Sequence, residues 1–593
     1  MENKYLPRTL SLRMFLLCLF MLVALPVPLC AAEPVEIHVG GLAGDPLNNV
    51  TSALALPPGL VKEGAVDKLW LDDFSAQAES KVRMALEPFG YYEARVTTEL
   101  EEKKEGGYLL QVAVTAGRVT RLGEVVVTIE GAGADEPLLL EKAATFPLHT
   151  GDQLRHGRYE QAKNEMLAAS RELGYLDAQF ATHEILVDPT TASARIRLIM
   201  ASGPRYLFGT ASIAGSTYYP DELLRRYISF SPGQPFSYKA IGNTQFNFAN
   251  STYFKSVSVV PDKGAATSQQ VPVVITVVPA PRRTIRPGIG YGTDTGPRAS
   301  VGFKHLSLFE PGNTLNSEIT VAERLQGIGS VYTVPSSHNI ETFSTVQLNL
   351  QREVVTDTVS RLAFLEPGWT TGFGNNRLGT VYIRLMYEEY SVGLENSTSL
   401  LPLLGLRLSR HAYDDLIRPS KGWHYSLETR GASRSLLSDA TFIQCIAESG
   451  VIIPLPWRLS LKSRIKGATT VLHDPFSSVP SSLRFFAGGD NSVRGYAYKS
   501  LGPKDATGDV VGGKNLLQGS VELQRALFDK WAVSLFYDAG NAFNDVSSIT
   551  LLQGAGIGLH YGTPIGALNL NLARQVGIPD PQFRLHFTIG FQL

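Results

Sequence analysis

The clearest hydrophobic pattern lies at the carboxyl end of the chain. Phe583, Leu585, Phe587, Ile589, Phe591 and Leu593 alternate with Arg584, His586, Thr588, Gly590 and Gln592. A strict period of two is the pattern of a strand with one apolar face. Leu568, Leu570 and Leu572 alternate with Asn569, Asn571 and Ala573, and Ala555, Ile557, Leu559 and Tyr561 alternate with Gly554, Gly556, Gly558 and His560. Trp423, Tyr425 and Leu427 alternate with His424, Ser426 and Glu428. The second face is rich in Gly, Ser, Thr and Asn rather than Lys and Glu, which suits the lumen of a transmembrane barrel better than the outside of a soluble sandwich. Strands are predicted near 284–291, 299–308, 314–322, 327–335, 343–353, 359–369, 376–388, 401–411, 422–432, 440–453 and 457–470, then near 515–526, 530–539, 552–561, 566–574 and 583–593. That makes sixteen, an even number as single-chain bacterial barrels require. Between the two groups lies a long loop, about 471–514.

Upstream of about residue 282 the grammar changes, and helix-period and strand-period segments take turns. Phe89-Gly90-Tyr91-Tyr92-Glu93-Ala94 recurs as Leu173-Gly174-Tyr175-Leu176-Asp177-Ala178, and more loosely as Ser251-Thr252-Tyr253-Phe254-Lys255-Ser256. Each copy follows a predicted helix (Ala76–Leu86, Tyr159–Leu173, Tyr238–Ala249) and precedes a strand. Further strands at Tyr108–Thr115, Ala194–Met200 and Val271–Val278 close the units. Repetition at a period near 80 residues predicts three α+β modules, at 33–117, 118–203 and 204–281, with the barrel at 282–593. Gly90 and Gly174 stand where a helix end favours a left-handed residue.

Composition narrows the class. Mean hydropathy is zero, and residues beyond the amino-terminal segment hold no apolar run long enough for a helical span. A formal charge of −1 gives no basic footprint for nucleic acid. Residues 1–32 read as a signal peptide: Lys4, Arg8 and Arg13, an apolar stretch Met14–Ala24, then Cys30-Ala31-Ala32. Its removal leaves Cys445 as the one cysteine, so neither an internal disulfide nor a cysteine-based metal site is expected.

The long loop contains Phe485-Phe486-Ala487-Gly488-Gly489-Asp490-Asn491-Ser492-Val493-Arg494-Gly495-Tyr496. A loop of this length is more often functional than filler. An arginine inside a barrel needs a carboxylate. The candidate is Asp538, in Phe536-Tyr537-Asp538-Ala539-Gly540. Trp531, Val533, Leu535 and Tyr537 suit the lipid face of that strand, so Asp538 has lumenal parity. A bidentate Arg494–Asp538 pair would pin the loop within the barrel, although from the residues alone a solvated Arg494 is an equal alternative.

Val493-Arg494-Gly495-Tyr496 resembles the lid-loop motif of the bacterial outer-membrane assembly factor superfamily of the BamA and TamA type, and Phe536-x-Asp538-x-Gly540 resembles its partner motif on the thirteenth strand. The modules resemble its polypeptide-transport-associated (POTRA) domains, and three of them resemble the TamA-type subfamily. The resemblance implies POTRA-like periplasmic modules before a 16-stranded antiparallel transmembrane barrel in the bacterial outer membrane. It implies assembly or secretion of client outer-membrane proteins such as autotransporters, contact with outer-membrane lipid, and a TamB-like inner-membrane partner met through the first module. It also implies a weak seam between the first and last strands that opens sideways. Pro287, Gly288 and Gly290 on one side, and Phe587, Ile589, Gly590 and Phe591 on the other, are the seam residues. Proline and glycine there weaken a ladder. Family members often end in an aromatic residue, whereas this chain ends in Leu593.

Other classes have less support. Asp294-Thr295-Gly296 imitates an aspartic-protease signature but occurs once, between two predicted strands, and reads as a hairpin turn. No nucleophile-elbow, zinc-protease or phosphate-loop motif occurs, so no enzymatic activity, cofactor or metal is expected. The alternatives are a two-partner secretion transporter passing one cognate protein through the lumen, and a passive outer-membrane channel.

Overall fold

The computed structural model describes residues 34–590, apart from 63, 64, 105, 217, 337, 338, 356, 357, 416–418, 564 and 565. The proposed signal peptide, Phe591 and Leu593 lie outside the described residues.

Three three-stranded sheets precede the barrel, and a two-stranded ribbon, Val61–Lys62 with Ala65–Val66, lies beside the first. In the first, Val35–Gly40 runs parallel to Tyr108–Thr115, which pairs antiparallel with Arg95–Glu102 on its other side. The strands Arg121–Glu130, Ser193–Ala201 and Gln179–Asp188 repeat this order, as do Leu207–Ala214, Gln270–Pro279 and Phe254–Pro261. The closing strand is thus central each time. Its parallel neighbour is reached by a helical crossover, as parallel pairing requires. Helices Lys68–Leu86, His156–Glu172 and Tyr238–Asn250 are the crossovers' main elements. In the first, Asp67 caps the start by accepting the Trp70 N–H at 3.1 Å. Leu71, Phe74, Ala78, Val82, Ala85 and Leu86 form its buried stripe against Leu110, Val112 and Val114. This helix starts eight residues before the predicted Ala76. Leu69 and Trp70 are exposed apolar residues at its start, which blurs the stripe. Three short helices, Asp45–Ala53, Pro137–Ala144 and Asp221–Arg225, went unpredicted because a helix of so few turns shows little periodicity.

The repeated motif is the joint between modules. The Gly90 carbonyl accepts the Thr120 N–H at 2.9 Å, and the Thr120 carbonyl accepts the Leu154 N–H at 3.0 Å. At the next joint, Gly174 accepts from Tyr206 at 2.7 Å and Tyr206 accepts from Phe236 at 3.0 Å. Both glycines have positive φ, and a Cβ at Gly174 would stand 2.7 Å from the Tyr206 carbonyl. The Tyr92 hydroxyl and His156 Nε2 share a hydrogen bond of 2.8 Å across the first joint, and Glu172 binds Ser237 and the Lys239 N–H across the second. The looser third copy joins the last module to the barrel, where the Tyr253 hydroxyl donates to the Gly312 carbonyl at 2.5 Å. Arg226 adds a bond to the Ser336 carbonyl at 2.6 Å. Both acceptors lie in turns at one end of the barrel, the module end.

Sixteen antiparallel strands close the barrel in sequence order, from Arg283–Gly292 to Phe583–Gly590. The alternation holds: Val381, Ile383, Leu385 and Tyr387 are exposed outward, whereas Tyr382, Met386 and Glu388 are buried inward. The eighth strand, Glu395–Tyr413, is longer than the predicted 401–411. Residues 395–399 are mostly polar, so the hydrophobic period stops while the backbone pairing continues. Sixteen register pairs join the seventh and eighth strands, and among the described residues three join the first strand to the last: Gly290 with Gly590, Tyr291 with Ile589, and Gly292 with Thr588.

Candidate functional site: the lid and the seam

Residues 473–514 connect the eleventh strand, Leu459–Leu472, to the twelfth, Asn515–Ala526, at the end of the barrel opposite the modules. The connection folds inward as a braced lid, with bridges between Phe485 and Gly513, Ala487 and Leu501, and Lys504 and Val510. Phe485, Ala487, Val493, Tyr496 and Leu501 pack with the wall residues Ala468, Leu516 and Ala542. Val493 is fully buried and Tyr496 nearly so, so this half of the motif is the lid's own core.

Arg494 reaches the wall. Its Nε donates to Asp538 Oδ2 at 2.7 Å and its Nη2 to Oδ1 at 2.9 Å, the bidentate fork. Its backbone N–H donates to the same carboxylate at 3.0 Å. Nη1 binds Glu522 at 2.8 Å, and Ser520 Oγ fills the remaining place on Asp538 at 2.6 Å. The guanidinium stacks on the Phe536 ring, 3.4 Å from its centroid. Arg494 is 5% exposed and Asp538 0%, so the solvated alternative for Arg494 is set aside. Asp538 and Phe536 both lie on the thirteenth strand, Trp531–Phe543, with the parity expected. Gly540 has lumenal parity two residues on, and a Cβ there would stand 2.7 Å from the Gln518 side chain, so its role is space rather than contact with the lid. Gly495, at φ +100°, turns the chain so that its N–H meets His586 Nε2 at 2.9 Å and its carbonyl accepts from Gln575 at 3.0 Å.

Several partners escaped the sequence reading. Glu522 and Ser520 sit on the twelfth strand, and the register of its pairing with the thirteenth, Ser520 opposite Asp538 and Glu522 opposite Phe536, puts them at the site. Gly554 and Gly556 had a visible signal, the glycine alternation on the fourteenth strand. A side chain at Gly554 would overlap the Arg494 carbonyl, and one at Gly556 would come within 2.6 Å of the Phe536 ring. A second anchor holds the start of the lid. Ser481 and Ser482 donate to the fully buried Glu388, which also accepts from Ser360 at 2.7 Å, and Arg484 binds Glu395 at 2.6 Å. A third joins Lys499 to Glu353 at 2.7 Å.

The seam set divides. Gly290, Ile589 and Gly590 form register pairs, and Phe587 exchanges hydrogen bonds with Thr293 at 2.7 and 3.1 Å. Pro287 and Gly288 pair with Val301 and Ser300 of the second strand. Toward the seam, the first strand has no partner before Gly290 among the described residues.

An Omp85 superfamily domain model matches residues 298–593. The chain belongs to the Omp85 superfamily. Two further models match the modules: a POTRA model described as TamA domain 1 over residues 36–116, and a POTRA model described as surface antigen variable number repeat over residues 206–280. The outer-membrane protein assembly factor BamA of Nitratidesulfovibrio vulgaris is 21% identical over 511 residues, which is 81% of this chain and 62% of that protein. BamA of Buchnera aphidicola is 22% identical over 240 residues, 39% of this chain and 37% of that protein. The chain thus spans less than two thirds of the length of these relatives. The crystal structure of Haemophilus ducreyi BamA lacking POTRA domains 1–3 superposes with a TM-score of 0.62 at 16% identity, over 79% of this chain and 99% of that one. The fold is shared: POTRA modules, then a closed antiparallel barrel of sixteen strands. As an Omp85 protein, the chain places its barrel in the outer membrane and its modules in the periplasm. The lid therefore enters the lumen from the cell exterior.

Proposed function

We propose that this Omp85 protein assembles client outer-membrane proteins, autotransporters among them, at its seam. One observation carries the reading. Among the described residues, three register pairs join the first strand to the last, at the extracellular end, where other neighbouring strands share eight or more, and Pro287 and Gly288 weaken the first strand's edge on the periplasmic side of them. Exposed Ile285 and Ile289 lie along that stretch of backbone, facing lipid. An incoming client strand would satisfy those donors and acceptors by adding to the edge, which is the thermodynamic basis of β-augmentation. Assembly of this kind runs on binding free energy, with no catalysed reaction, cofactor or metal. The seated lid is anchored inside the lumen at three places, which favours lateral delivery over transport of one cognate protein through the pore, and over a passive channel.

The TamA-type assignment belongs to this proposal. It is supported by the match of the first module and by three module sheets. The first module would meet a TamB-like inner-membrane partner. Its outer strand, Val35–Gly40, is an edge strand bordering a groove with helix Asp45–Ala53, a shape that accepts an added strand. The test is depletion in the native cell followed by quantitative outer-membrane proteomics. Selective loss of a set of β-barrel proteins is expected. Loss of one secreted protein with the barrel proteins unchanged would favour the two-partner reading instead.

A further inference from the structure

The lid also touches both sides of the seam, through a single residue. Asp490 lies four residues before Arg494. Its backbone N–H donates to Asp294 Oδ2 at 2.7 Å, and Asp294 is in the turn joining the first strand to the second. Its side-chain Oδ1 lies 2.5 Å from Nδ1 of His586, on the last strand. His586 is 1% exposed, and its Nε2 accepts the Gly495 N–H, so the ring proton sits on Nδ1 and is donated to Asp490. Gly489, at φ +109°, lets the lid backbone approach this closely, since a Cβ there would stand 2.5 Å from Asp294.

We infer that Asp490 is a clasp across the seam, so that seating of the lid and closure of the barrel are one coupled event. The clasp is serial: Asp294 to the Asp490 backbone, the Asp490 side chain to His586. It lies at the extracellular end, beside Thr293 and Phe587, where the three register pairs and the Thr293–Phe587 bonds hold the edge. While Asp490 is held from both sides, parting the seam there must break the clasp as well as these strand bonds, and release of either end leaves the strand bonds to hold the edge without it. Asp490, Asp294 and His586 are positioning residues in this account; they act on the strands and touch no client. The inference rests on the reading that the seam opens, but its test uses no client, so failure of client assembly at the seam and failure of the clasp are separately visible.

The test is hydrogen exchange on the full-length protein in lipid nanodiscs. The amides of Gly290, Gly292, Thr293 and Phe587 report on the seam, and those of the thirteenth strand serve as an internal reference. Asp490→Ala keeps the lid N–H but loses the His586 bond. Asp294→Ala loses the other end. Each is expected to speed seam exchange about tenfold or more, as loss of one hydrogen bond to a charged carboxylate implies. Because the links are in series, the double variant is expected to match the faster single one. Asp294→Asn retains an acceptor oxygen and should exchange like the parent. Faster exchange confined to lid amides, with the seam unchanged in both alanine variants, would overturn the clasp, as would additive effects in the double variant. If one alanine variant fails to fold, the other carries the test alone.

Discussion

Replacing Asp538 with alanine should release the lid. The carboxylate accepts from the Arg494 Nε, Nη2 and backbone N–H and from Ser520, all inside a site where Asp538 has no exposed surface. Its loss leaves a buried guanidinium held by Glu522 alone among carboxylates. Breaking a buried ion pair from one side costs about 3–5 kcal/mol, because the remaining charge keeps its desolvation penalty. Glu522 remains at 2.8 Å, so the lower end applies, about 3 kcal/mol. That shifts the ratio of seated to released lid by roughly two orders of magnitude. Single-channel recording of the full-length protein in planar bilayers reads this directly, since a released lid leaves the lumen open to ions. The parent should stay closed for almost all of a record, and Asp538→Ala should open about a hundredfold more often. Asp538→Asn, which keeps an acceptor but no charge, should fall between. An Asp538→Ala protein with parent-like heat-modifiable mobility and an unchanged open fraction would refute the claim that this pair seats the lid.

Phe536→Ala should give a weaker version of the same open-channel phenotype without touching a charge, because it removes the ring on which Arg494 stacks. Glu388→Ala should free the start of the lid, making 476–484 cleavable by external protease while Arg494 stays seated. Gly174→Val should weaken the joint between the second and third modules, since φ is +96° and the Tyr206 carbonyl lies in the way; limited proteolysis between the modules would report it. The first joint should respond to pH. Burial holds His156 below its ordinary value of 6.5 and pushes the Tyr92 hydroxyl up to about 12. The neutral ring is therefore the folded form, so its contribution is full above about pH 6.5 and is lost as pH falls through the lowered value. Cleavage between the first and second modules should rise on acidification and lose that dependence in His156→Phe.

Much of this molecule was legible because a barrel writes its geometry into the chain. Each strand must present an apolar face to lipid, so the alternation at Phe583–Ile589 or Leu568–Leu572 located strands to within a few residues. The Arg494–Asp538 pair was legible for a related reason: parity put Asp538 in the lumen, and a lumenal charge demands a partner. His586 and Asp294 were not legible, because their proximity to the lid follows from barrel closure, which brings residues nearly 300 positions apart into contact; Glu522 was not legible because its place beside the pair depends on the exact register of the twelfth strand against the thirteenth. The turn at Asp294 was recognised as a hairpin, but its shape gave no sign that its carboxylate would hold Asp490. The extension of the eighth strand failed to register because polar residues pair as well as apolar ones once the strand leaves the bilayer.

The central claim is that clients leave through the seam, and a covalent lock tests it most directly. Tyr291 and Ile589 are register partners across the seam. Directly opposed strand residues lie within the Cα separation a disulfide accepts. Tyr291→Cys with Ile589→Cys, in a Cys445→Ser background, should form a bond under oxidising conditions. Assembly of the client proteins identified by depletion should then stop, and should resume when the bond is reduced. Undiminished assembly with the bond quantitatively formed would contradict the account.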